Sequence, residues 1–98
     1  MLVVLRPDAE NELLDAQAWY ESKAPGLGFE FARAADAAVV SALRNPFGHL
    51  RIEEEFRRVI LRKFPYTLIY LPNQRELLIV SFFHQHRKPG DWLGRFSH

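Results

Sequence analysis

The sequence predicts an α+β domain in which an antiparallel helical hairpin packs on a mostly antiparallel sheet. Two observations carry this. Before residue 45, apolar residues recur at helical spacing through two segments separated by a Pro-Gly break. From residue 56 onward the pattern changes to β-branched and aromatic runs bounded by Pro and Asn. At 98 residues, 48% hydrophobic and 26% charged, the chain is expected to form one domain spanning 1–98, with too much apolar content for disorder.

The first element is a short strand at Leu2-Val3-Val4-Leu5, ended by Arg6-Pro7. Pro7 suits the first position of a helix, where a missing amide donor is harmless. Asp8, Glu10 and Glu12 then complement the positive end of the helix dipole. Ala9, Leu13, Ala16 and Tyr20 form one apolar stripe, and the helix is expected to stop near Ser22-Lys23 because Pro25-Gly26 follows. A second helix is expected from Leu27 to Leu43. Leu27, Phe31, Ala34, Ala38 and Ala42 make its buried stripe, widened by Phe29, Ala35 and Val39, and Asn45-Pro46-Phe47-Gly48 stops it. The short connection makes the two helices antiparallel neighbours.

After a loop through Glu53-Glu54-Glu55, a three-stranded antiparallel meander is expected. Its strands are Arg57–Lys63, Tyr66–Leu71 and Leu77–Phe83, with a turn at Pro72-Asn73-Gln74-Arg75. The last strand is nearly continuous in apolar character, which marks a central strand buried on both faces. Trp19-Tyr20 and Phe82-Phe83 stand at helix and central-strand positions, where core packing is expected rather than base stacking. Trp92 is expected to pin the tail to the fold.

Several functions are excluded or disfavoured. Zero cysteines remove disulfides, thiolate nucleophiles and Cys-based zinc sites. No apolar run is long enough to span a bilayer and no signal-peptide pattern opens the chain, so a cytoplasmic protein without membrane contact is expected. Gly26 and Gly28 lie between helices rather than after a strand, so no phosphate loop is formed. Ser22 and Ser41 sit in no nucleophile elbow. His84 and His86 lack a third nearby ligand, so neither metal nor cofactor is expected. Glu53-Glu54-Glu55 reads as an exposed loop rather than a source of a catalytic base.

The net charge of +1 conceals an asymmetry: residues 1–50 carry four basic against seven acidic side chains, residues 56–98 eight against two. This basic half points to an anionic partner. Within it stand His84, His86 and Arg87, with Arg57, Arg58 and Arg62 on a neighbouring strand. Imidazoles that titrate near neutrality and guanidinium forks that match phosphate oxygens are the groups metal-free RNA cleavage requires. The same residues also suit a capped strand end with solvated arginines.

An ordered set of residues resembles a known family. It comprises Trp19-Tyr20-Glu21, Pro25-Gly26-Leu27-Gly28-Phe29, Asn45-Pro46, Arg62-Lys63-Phe64-Pro65-Tyr66, Leu68-Ile69-Tyr70 and His84-Gln85-His86-Arg87-Lys88-Pro89 with Trp92 and Arg95. Together these resemble the RelE/ParE toxin superfamily of type II toxin–antitoxin modules, most closely its ParE-like plasmid-stabilisation branch. The resemblance implies a strand–helix–helix–three-strand fold and a toxin held in a hetero-oligomer by an antitoxin encoded in an adjacent gene. It implies one of two targets. RelE-like members cleave mRNA in the ribosomal A site, which would make His84, His86 and Arg87 catalytic. ParE-like members poison DNA gyrase, which would make Arg58, Arg62, Arg87, Arg95 and Trp92 target-binding. Asp91-Trp92 stands where the ribonucleases carry Tyr-Trp, and residues 50–56 hold three glutamates where RelE is lysine-rich. Both departures favour gyrase. A third reading is an inactive module that binds only its antitoxin and operator DNA.

Overall fold

The computed structural model describes residues 1–87. Strand β1 (Leu2–Leu5) leads into helix α1 (Pro7–Lys23) and helix α2 (Leu27–Arg44). Strands β2 (Arg51–Glu53), β3 (Phe56–Ile60), β4 (Tyr66–Pro72) and β5 (Glu76–His84) follow. They form one five-stranded sheet in the order β1-β5-β4-β3-β2. The β2–β5 portion is an antiparallel meander, whereas β1 lies parallel to β5, with Leu2 opposite Glu76 and Leu5 opposite Ile79. The sheet is therefore mixed. A parallel pair needs a long crossover, and the helical hairpin together with the first three strands of the meander supplies it.

Two strand boundaries differ from the sequence reading. The stretch read as loop contains β2, a three-residue edge strand too short to show periodicity, whose Ile52 packs on the sheet. The strand read as Arg57–Lys63 ends at Ile60. There the chain turns so that Leu61 and Phe64 bury beneath the helices, with Lys63 in the left-handed region at φ 69°. The Leu61 N–H donates to the Tyr66 carbonyl at 3.0 Å and closes the turn.

The main core lies between the helices and one sheet face. Ala9, Ala16, Phe31, Ala35, Ala38 and Ala42 from the helices meet Leu68, Tyr70, Leu77, Ile79 and Phe82 from the strands. The alanine-rich faces let the helices approach closely, and Gly28 lies against the backbone of Gln17. Glu21, near the end of α1, caps α2 across the connection: its carboxylate accepts from the N–H groups of Gly26 at 3.0 Å and Gly28 at 2.9 Å. Both donors would otherwise be unsatisfied at the positive end of the helix.

Phe31 stacks on Tyr20, with ring centroids 5.3 Å apart, and meets Phe64 and Tyr66 edge-on. These rings fix the hairpin to the start of β4. At the opposite end, the Tyr70 hydroxyl donates to the Pro46 carbonyl at 2.9 Å, and Arg57 donates to the His49 carbonyl at 2.8 Å. The other face of the sheet carries a second apolar cluster of Phe56, Ile69, Val80 and Phe83, as strand alternation requires. β5 is central, as its apolar run indicated. Trp19 and Phe29 depart from their expected core roles: they are 55% and 65% exposed, on helix faces turned from the sheet's interior. Among the described residues no helix is long and apolar enough to cross a membrane.

Candidate functional site

The end of the sheet where β4 begins and β5 ends forms one wall of a cleft of about 550 Å³, and α1 forms the other. Glu12, Asp15, Ala16 and Trp19 line it from one face of α1, at the spacing that places helical residues side by side. Tyr66, Phe82, His84 and Arg87 line it from the sheet side. Tyr66 and His84 are register partners, and their rings meet edge-on with centroids 4.9 Å apart.

His84 is half-buried. Its Nδ1 accepts from the backbone N–H of His86 at 3.0 Å, so a neutral ring carries its proton on Nε2. Burial pushes the His84 pKa below the usual imidazole value, and the neighbouring His86 and Arg87 push it the same way. All three causes favour the neutral ring. The His86 ring lies 5.0 Å from that of His84. Burial raises the pKa of Tyr20 and of Tyr66, so both phenols stay protonated near neutrality.

Arg87 donates to Glu12 Oε2 at 2.8 Å, and the other carboxylate oxygen accepts from the Ser81 hydroxyl at 2.9 Å. The Glu12 side chain is only 15% exposed and that of Arg87 44%. Ser81 follows a register irregularity in β5 opposite Ile69 and Tyr70. Glu12 thereby ties the segment after β5 to both the strand and α1. Arg87 also lies over the Phe83 ring, 5.1 Å from its centroid.

The structure brings His84, His86 and Arg87 together but separates the other arginines from them. Arg57 points to the helix side, where it holds the His49 carbonyl and lies over Phe47, and its buried Nε has no partner among the described residues. Arg58 pairs with Ile69 on the face of the second apolar cluster. Arg62 is exposed in the turn after β3, beside α2. Trp92 and Arg95 lie outside the described residues. Glu53, Glu54 and Glu55 are exposed, far from a base's position beside the histidines. Among the described residues no three His, Asp or Glu side chains group as metal ligands.

Sequence reasoning missed Glu12 and Ser81. Glu12 was assigned only to the helix dipole, although it lies three residues after Ala9 and four before Ala16, on the buried face. Ser81 is the one hydroxyl in the run from Leu77 to Phe83. A carboxylate on an apolar stripe and a lone hydroxyl in a central strand were the two available signals.

The fold matches a chain in a solved structure of the chromosomal ParDE TA system from P. aeruginosa, with a TM-score of 0.73 at 14% identity, covering 86% of this chain and 95% of that one. The model of the family described as the ParE toxin of the type II toxin–antitoxin system, parDE, matches residues 3–89. The chain belongs to that family. Among curated proteins no significant sequence match is found.

Proposed function

We propose that this chain acts in the cytoplasm as a binding poison of DNA gyrase and is neutralised by a cognate antitoxin encoded in an adjacent gene. Membership of the ParE family supports the module, and the cleft supports binding rather than cleavage. The observation that carries this preference is the 2.8 Å pairing of Arg87 with Glu12. Among the described residues the guanidinium beside the histidines, that of Arg87, is already matched to a carboxylate, so a scissile phosphate beside them meets no unpaired guanidinium. Phosphoryl transfer depends on positive charge at the transition state. Arg58, Arg62 and Arg87, together with Arg95 and Trp92, are the proposed target contacts, through charge and hydrogen bonding alone. No cofactor or metal enters this reading.

The test is brief induction of the chain without antitoxin, with DNA and protein synthesis followed by pulse-labelling. DNA synthesis is expected to fall first, and the His84→Ala/His86→Ala double variant is expected to keep most of its toxicity. Collapse of protein synthesis within minutes, abolished in that double variant, would instead establish ribosome-dependent mRNA cleavage. Unimpaired growth at confirmed expression would indicate the inactive module.

A further inference from the structure

A second hollow, of about 570 Å³, lies between α2 and the end of β3 and shares no residue with the histidine cleft. Ala34, Ala37 and Val40 line it from the helix, Val59 and Ile60 from the strand. Val40 is 43% and Ile60 50% exposed, so this groove leaves apolar surface in water. Its rim is cationic. Arg44 and Arg62 stand on it, and Arg62 also lines an adjoining hollow of about 310 Å³ with Arg33 and Lys63, against Glu30. All four cations are exposed, and among the described residues none of them is in an ion pair. Arg33 rests over the Phe29 ring, 6.0 Å from its centroid, a contact that leaves its charge unmatched.

The strand adds backbone groups to this surface. The Leu61 N–H donates inward to the Tyr66 carbonyl, and the Arg58 N–H donates outward to the Leu50 carbonyl at 3.1 Å. Alternation therefore turns the N–H and C=O of Ile60 outward, to the edge that β2 occupies further back. β2 does not reach them: its register with β3 runs to Arg57, and upstream of Leu50 the chain is the turn that leaves α2. Among the described residues no strand lies beyond Ile60. An open edge of this kind is a pairing site.

Apolar floor, cationic rim and open edge together select the occupant. A nucleic-acid backbone would match the cations but gain nothing from Val40 and Ile60. A helix would cover the floor, but its own backbone is already satisfied, so the Ile60 groups would lose water without gaining a partner. An extended segment with acidic and apolar residues in alternation meets all three demands: backbone to Ile60, apolar side chains to the floor, carboxylates to the arginines.

We propose that this groove holds the antitoxin of the module, through an extended acidic segment that pairs with β3 at Ile60 and sets its carboxylates against Arg44 and Arg62. The proposal rests on the toxin–antitoxin reading and adds to it the place and the means of neutralisation. A segment seated here covers Arg62, one of the proposed target contacts, so antitoxin and target exclude one another.

The test uses the full chain and the protein encoded by the adjacent reading frame, purified separately and mixed. Amide hydrogen exchange is read residue by residue by nuclear magnetic resonance, and affinity by titration calorimetry. The Ile60 amide is expected to exchange at least about tenfold more slowly in the complex than in the free chain, as a newly paired edge requires. Arg44→Glu/Arg62→Glu should weaken the complex by about tenfold or more, because each reversal replaces attraction by repulsion. Arg51→Glu/Arg75→Glu makes the same change of net charge outside the groove, and should weaken it by less than about threefold, the effect of the long-range field alone. Thermal unfolding checks that both double variants are folded. Absence of a complex with the parent chain would overturn the antitoxin reading and the proposal together. A complex in which Ile60 exchanges as fast as in the free chain, or one weakened equally by the two double variants, would overturn the proposal alone. So would protection of Ile60 by a short DNA duplex and not by the adjacent-frame protein, which would make the groove a nucleic-acid site.

Discussion

Replacing Gly28 with alanine tests the closeness of the helical hairpin, on which the position of the cleft wall depends. A Cβ at residue 28 would lie 2.6 Å from the Gln17 carbonyl oxygen, 2.9 Å from Glu21 Cβ and 3.0 Å from Glu21 Oε1. The first of these atoms is backbone inside α1 and cannot rotate away, so α2 must lift. Overpacking of this kind costs about 1–3 kcal/mol. The lift also stretches two charge-assisted hydrogen bonds from Gly26 and Gly28 to Glu21, each worth about 1.5–3 kcal/mol when fully lost. Opposing this, alanine gains about 0.5–1 kcal/mol of helix preference over glycine. The net expectation is a loss of about 1–3 kcal/mol, which for a domain of this size lowers Tm by about 5–15 °C. Gly26→Ala separates contact from conformation: its Cβ meets nothing within 4 Å, but its φ is +87°, so only the left-handed strain of about 1–2 kcal/mol applies. Thermal unfolding followed by circular dichroism, with urea midpoints as a check, reads both variants. A Gly28→Ala protein as stable as the parent would refute the close approach of the two helices.

Two further outcomes follow from the cleft. The folded pKa of His84 lies below its unfolded value, so in the acidic window between the two the unfolded chain binds more protons. The stability contribution is present above the unfolded pKa near 6.5 and is lost as pH falls through the folded value; His84→Gln should therefore show a shallower loss of stability than the parent in urea titrations between neutrality and mild acid, and an identical slope would contradict it. Ser81→Ala removes a donor to the Glu12 carboxylate from a fully buried position and should lower stability by about 1.5–3 kcal/mol. Combined with Glu12→Ala it should lose less than the sum of the single variants, measured by urea unfolding.

The parts of the fold that could be read from sequence are those whose cause is local. Pro7, the acidic first turn and the stripe from Ala9 to Tyr20 specify α1 through neighbours within one or two turns, and the Leu77–Phe83 run specifies a central strand through its own composition. The pairing of β1 with β5 joins residue 2 to residue 76, and no local signal marks its direction. β2 has three residues, fewer than periodicity needs. β3 stops at Ile60, short of Lys63, because Leu61 and Phe64 turn to bury beneath the helices, a tertiary cause. Trp19 and Phe29 were misread for one reason: an aromatic residue beside an apolar stripe was given the stripe's burial, although both lie past the edge of the buried arc. At the site, adjacency in sequence brought His84, His86 and Arg87 together without further help. The Glu12 contact was invisible because its partners lie 69 and 75 residues away.

The same distances change the meaning of the basic C-terminal half. Among the described residues its arginines do not converge. Arg87 is matched to Glu12 beside α1, Arg57 is turned inward to the His49 carbonyl, Arg58 lies on the second sheet face, and Arg62 stands beside α2. A phosphate-transfer site needs several cations within hydrogen-bond reach of one group, whereas cations on different sides of the sheet cannot share one. What survives of the asymmetry is its long-range field, screened over about 8–10 Å at physiological salt. Such a field speeds encounter with an anionic partner without fixing where that partner sits. Position must come from shape and local chemistry, and among the described residues the groove between α2 and the end of β3 offers both.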